Sequence, residues 1–239
     1  MEKMKKYLTI TLVITFILAL TGCDLIERNA DSVDKTVYAK VGRTKITKGE
    51  VDQALKQYLD YYKSNYGEDY ESKSEIKETL KSLRIQQLDG LVDKEVLYQN
   101  AKNLGVQPTE DEINAEVDNR IAYYKDVVGS DEKYTAWLEG IGFNEESFKE
   151  NLKNMIIVSM VVDKILEDVE VSDEEVEKYY NDNIDNYTNK QEDVVTPLDD
   201  KLKVEIRNQL LYSKQEEIYK TKLDELKKNI KIKKYEDRI

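Results

Sequence analysis

The sequence predicts a mostly α-helical, multi-helix protein with a small β element formed by strands from its two ends. Three observations carry that reading. Apolar residues recur at helical spacing through most of the chain, and only two prolines and nine glycines interrupt its 239 residues. One helix-start signature, Ser/Thr-x-x-Glu followed by an aliphatic residue, occurs three times: Thr47 to Glu50 with Val51, Thr109 to Glu112 with Ile113, and Ser172 to Glu175 with Val176. In that pattern the hydroxyl caps the N3 amide while the Glu carboxylate reaches back to the cap amide. Alternating segments near 36–47 and 229–235 supply the strands.

Taken in order, 36–41 alternates as a strand, Gly42-Arg43 offers a turn, and 45–47 a short return strand. A helix over about 48–66 presents Val51, Leu55, Tyr58, Leu59 and Tyr62, with Ile46 placed to staple onto Val51. A long helix follows over about 73–104, and Gly105 is a natural stop before Pro108. Helices over about 110–128, 131–139 and 145–169 come next, the last being the most apolar. A sixth covers about 173–183, with Val171 stapling onto Val176. Residues 184–197 lose periodicity and gain Asn, Asp and Gln, which marks a linker. A last helix covers about 198–228, and the 229–235 strand is expected to pair with the N-terminal one, bringing the two ends together.

The N-terminus is organised differently. Lys3, Lys5 and Lys6 precede an apolar run from Tyr7 to Leu20, which is too short for a spanning helix and fits a signal-peptide core. It ends in Leu20-Thr21-Gly22-Cys23, which resembles a bacterial lipoprotein box and implies a diacylglyceryl group on Cys23, membrane attachment through it, and an extracytoplasmic location. Residues 24–35 then read as a polar tether. Removing residues 1–22 takes away three Lys and one Glu, so the formal charge moves from −12 to −14.

Composition narrows the chemistry. With no histidine there is no imidazole base and no His-ligated metal, and one cysteine forms neither an internal disulfide nor a thiolate cluster. The acidic balance opposes nucleic-acid binding. Acidic runs such as Glu110-Asp111-Glu112 sit in first helical turns, where they complement the macrodipole. Asn181-Asp182-Asn183 lacks the glycine and alternating spacing of a calcium loop. No cofactor is expected.

Several stretches in order resemble the SurA/PrsA-type extracytoplasmic chaperones: Val37 to Thr47, Leu91 to Val106, Leu138-Glu139-Gly140-Ile141-Gly142-Phe143, and Val171 to Tyr180. In that family a parvulin-type prolyl isomerase domain of about a hundred residues usually follows the last stretch. Here Pro197-Leu198-Asp199-Asp200-Lys201-Leu202-Lys203 resembles the return into the family's C-terminal helix after a gap too short to fold such a domain. The resemblance implies a signal peptide over 1–22, a tether over 23–35 and a SurA N-terminal-like chaperone domain over 36–187. It further implies a linker over 188–197 in place of the isomerase, and a completing helix and strand over 198–239. It implies binding of unfolded, newly translocated polypeptides without nucleotide or isomerase chemistry. An active prolyl isomerase and an envelope adaptor with one fixed partner are the alternatives. Among 17 tyrosines, the pairs Tyr61-Tyr62, Tyr123-Tyr124 and Tyr179-Tyr180 each put one ring inward and its neighbour about 100° away. The candidate contacts for a polypeptide client are Tyr62, Tyr124, Trp137, Met155 and Tyr180.

Overall fold

The computed structural model describes residues 35–189 and 194–239. The leader, Cys23 and nearly all of the tether lie outside the described residues. In chain order the elements are β1 (Val37–Val41), β2 (Thr44–Thr47), α1 (Lys48–Ala54), α2 (Lys56–Tyr66), α3 (Ser74–Asn100), α4 (Glu110–Val128), α5 (Asp131–Gly140) and α6 (Glu145–Leu166). They continue with α7 (Asp173–Asp182), β3 (Thr188–Asn189), β4 (Val194–Val195), α8 (Asp200–Lys228) and β5 (Ile232–Lys234). The chain divides into two compact units, one reaching Lys164 and resuming at Leu223–Ile239, the other spanning Ile165–Lys222.

The first unit is built around α3 and a three-stranded antiparallel sheet of order β2-β1-β5. Alternation along β1 turns Ala39 and Val41 inward, where they are buried with Ile46 of β2 and with Leu88, Leu91, Val92 and Val96 of α3. The β1–β2 turn needs Gly42, whose φ is +56°, and a Cβ there would meet the Gln99 carboxamide at 2.9 Å. That same Gln99 donates from Nε2 to Val41 O at 3.0 Å, fixing the hairpin to α3. The pairing of the two chain ends is present: Ala39, Lys40 and Val41 face Lys234, Lys233 and Ile232. Two ion pairs fasten the returning chain to α3, Lys227 to Asp93 at 2.6 Å and Lys234 to Asp89 at 2.5 Å. Burial pushes the Asp93 carboxyl above its ordinary pKa, and the Lys227 ammonium only partly offsets that.

All three capping boxes form, with Glu50, Glu112 and Glu175 each accepting from its cap amide. The staple residues are drawn inward: Ile46 and Val51 are buried, and Val171 packs against the cluster holding Val176. Gly105 takes the left-handed conformation expected of a helix stop, after a short 3₁₀ turn that ends the long helix at Asn100. A fourth box escaped the sequence reading: Asn144 Oδ1 accepts from the Ser147 amide at 2.8 Å and starts α6.

Two expectations change. The helix over 48–66 is broken at Leu55, whose φ/ψ of −96°/6° leaves the helical region. The break coincides with a change of anchoring along the segment. α1 is tied to its surroundings through Val51, Asp52 and Gln53, whereas no α2 residue is fully buried. Within the linker over 184–197 the described residues are more regular than its composition suggested: Ile184–Tyr187 form a 3₁₀ turn, and Thr188 and Asn189 pair antiparallel with Val195 and Val194.

The second unit packs α7 against α8 through Val176, Tyr180 and Ile206, with Leu198, Leu202 and Leu210 around them. Asp199 caps α8 by accepting from the Leu202 amide at 2.8 Å. Arg207 pairs with Asp173 and Lys214 with Glu175, both between those two helices.

Candidate functional site

Helix α2 carries the densest exposed aromatic surface among the described residues. Tyr58, Tyr62 and Tyr66 follow i, i+4, i+8 spacing and therefore form one row, with Tyr61 beside it. Tyr62 is the anchored member, stacked on buried Tyr70 at 6.5 Å and 8°, and meeting Tyr61 and Tyr66 at 5.7 and 5.9 Å. Tyr58, Tyr61 and Tyr66 are 57%, 60% and 45% exposed. Lys73 Nζ lies 5.9 Å from the Tyr66 ring centroid.

What holds this row in place lies beneath it. Tyr70, Ile76 and Leu80 form a small buried cluster on which Leu59 and Tyr62 rest. Beside it Arg84 of α3 donates from Nε to Asp52 of α1 at 2.7 Å and from Nη2 to Glu71 at 2.8 Å. Burial opposes the Arg84 charge, but the two carboxylates more than offset it and raise its pKa. Burial likewise favours protonation of Glu71, yet the Arg84 hydrogen bonds hold its pKa below the ordinary value. The Tyr70 phenol is pushed up to about 12, first by burial and then by the Glu71 charge.

A second aromatic group joins α4, α5 and α6. Buried Phe148 is its hub, meeting Tyr124, Trp137 and Phe143 edge-on at 5.6, 5.4 and 5.7 Å. Tyr124 stacks on Trp137 at 5.1 Å. Both are only partly buried, as are Met155, Ile113 and Ile141 around the same cluster. Outside it, Tyr123 and Val127 of α4 are 66% and 64% exposed and adjacent at i, i+4 spacing. Gly142 allows this group to approach α1: at φ +85° it leaves room for Gln53, which donates to Ile141 O at 2.5 Å.

The five contact candidates therefore separate. Tyr124, Trp137 and Met155 are brought together on one cluster, while Tyr62 belongs to the α2 row. Tyr180 is buried to 9% exposure and donates its hydroxyl to Thr196 O at 2.6 Å, so its ring and hydroxyl are committed inside the second unit. In the first two pairs the outward neighbours, Tyr61 and Tyr123, hold the exposed ring area that the choice of inward partners overlooked. The i, i+4 spacing of 58, 62 and 66 was the available signal. Replacing Tyr58, Tyr61 and Tyr66 together by serine is expected to shift stability by less than about 0.5 kcal/mol per site. Thermal melting reads that shift.

Among the described residues no group of three or more Cys, Asp and Glu side chains converges to hold a metal ion. No described helix is long and apolar enough to cross a membrane.

Comparison with known proteins agrees with this architecture. Foldase protein PrsA of Clostridium botulinum (strain Okra / Type B1) is 35% identical over 193 residues, covering 80% of this chain. The corresponding protein of Clostridium perfringens (strain SM101 / Type A) is 34% identical over 183 residues, covering 77%. The chain spans 57% and 53% of those two relatives. The family described as SurA-like N-terminal domain matches residues 1–162. That match covers more than half of the 239 residues, and its span holds β1, β2 and the helices α1 to α5: the chain belongs to the SurA-like N-terminal domain family.

Proposed function

We propose that this protein is a lipid-anchored extracytoplasmic chaperone that binds unfolded secreted polypeptides and assists their folding without ATP and without prolyl isomerase chemistry. The observation that carries the reading is the exposed tyrosine row of α2, held on a rigid base by Tyr70, Leu80 and Arg84. Tyrosine suits sequence-tolerant capture, because the ring covers apolar side chains while the hydroxyl bonds peptide groups. The partly exposed Tyr124, Trp137 and Met155 extend the contact surface, with methionine adapting to irregular shapes. The relatives' name, foldase, supports a role in folding. Cys23 supplies the anchor, raising the local concentration of the protein where translocated chains emerge. The net negative charge favours clients with basic segments.

The test is equilibrium binding to a client kept permanently unfolded by reduction and carboxymethylation, compared with the same protein folded. Micromolar binding to the unfolded form alone is expected. Equal affinity for both forms, or for neither, sinks the reading. A protease-coupled peptide assay run alongside is expected to show no acceleration of prolyl isomerisation.

A further inference from the structure

The charge of this acidic chain is unevenly placed. Residues 35–48 contain five Lys or Arg and no acid, and residues 227–239 contain six against two acids. The fold brings these two segments together as one sheet. Within it, Lys40 of β1 lies directly opposite Lys45 of β2 on one side and Lys233 of β5 on the other. The three exposed lysines thus form a row across all three strands. Like charges directly opposite in a sheet are destabilising, and no carboxylate lies within ion-pair distance of any of the three among the described residues. Alternation explains the contrast with Lys234, which points the other way and pairs with Asp89. Lys231, two residues before Lys233, extends the outer face, and Arg43 rims it from the turn. Partly buried Tyr235 sits against the row, with Lys233 Nζ 4.7 Å and the Arg238 guanidinium 4.1 Å from its ring centroid.

We infer that this outer sheet face docks on an anionic lipid surface, with the lysine row over the headgroups and Tyr235 at their level. A repulsive row kept without acidic partners is matched by a surface of fixed negative charge. Tyrosine is at home at such an interface, where one end of the ring is apolar and the other wet. The chain outside the described residues points to a membrane rather than an acidic protein. Only eleven residues separate Cys23 from Lys35, a reach of at most about 40 Å that ends two residues before β1. This last argument rests on the proposal that Cys23 carries the lipid; the charge argument does not.

The experiment separates the two. The chain beginning at Asp24 keeps every described residue and no cysteine, so its vesicle binding is read without the anchor. Cosedimentation is expected with vesicles of equal parts phosphatidylglycerol and phosphatidylcholine at low salt, and not with phosphatidylcholine alone. The variant K40Q/K45Q/K233Q is expected to bind the anionic vesicles about a hundredfold more weakly while melting no lower than the parent. Equal binding to both vesicle types, or binding unaffected by the triple variant, overturns the inference. So does binding of soluble polyglutamate as tight as that of anionic vesicles, which would assign the face to acidic peptides. Detergent-phase partitioning of the full chain, lost in Cys23→Ala, reports on the anchor alone.

Discussion

Truncation of Leu152 to alanine is expected to lower the stability of the first unit by about 3–5 kcal/mol, among the largest effects available in the protein. Leu152 is fully buried on α6, in the cluster of Val117, Ile121, Tyr134, Leu138, Phe143, Phe148 and Ile156 that joins α4, α5 and α6. Removing three carbons there loses their transfer free energy and leaves a cavity that aromatic neighbours, already fixed edge-on around Phe148, cannot fill by small rotations. Chemical denaturation should show a lower midpoint at unchanged slope. Val127→Ala on exposed α4 surface is the matched control and should change stability by less than about 0.5 kcal/mol.

Arg84→Met is expected to cost about 3 kcal/mol, near the low end for removing one partner of a buried ion pair. The low end applies because Asp52 keeps Lys48 as a partner and Glu71 is largely solvated. Replacing Asp52 as well, as Asp52→Leu, should recover only a small part of the loss, since Lys48 already compensates most of the Asp52 charge. The pH dependence has a definite sign. Glu71 has a folded pKa below its ordinary 4.5, so its contribution is present above that value and is lost as pH falls through the folded pKa. Arg84→Met should flatten that acid limb of the stability profile. Because Arg84 ties α1 and the Tyr70 turn to α3, the variant should also loosen the α2 row, visible as faster hydrogen exchange over 56–66.

Much of the fold was written locally in the sequence. Helix starts were legible because a capping box needs only residues three apart, and Thr47, Thr109 and Ser172 all behave as their neighbours dictate. The pairing of β1 with β5 was legible as alternating segments at the two ends of an otherwise helical chain. The break at Leu55 was not, because it falls where the tertiary anchoring changes, from Val51, Asp52 and Gln53 to Leu59 and Tyr62, and the pairing of Thr188–Asn189 with Val194–Val195 involves strands too short for any periodicity. The distribution of exposed aromatic rings was half legible. Helical geometry set one ring of each tyrosine pair inward, but which ring retains accessible area depends on what packs beneath it. For Tyr62 that is Tyr70, for Tyr124 it is Trp137 and Phe148, and for Tyr180 it is Tyr187 and Thr196. The lysine row depends on the register of three strands, one of them almost two hundred residues away, so no local pattern announced it.

The central claim, that this helical body holds unfolded chains, is tested most directly by light scattering from an aggregating client. With the chain from Asp24 present at near-stoichiometric ratio, scattering should be suppressed, and the Tyr58, Tyr61 and Tyr66 serine variant should need several-fold more protein for the same protection. Scattering unchanged by a large excess of the folded protein would contradict the account.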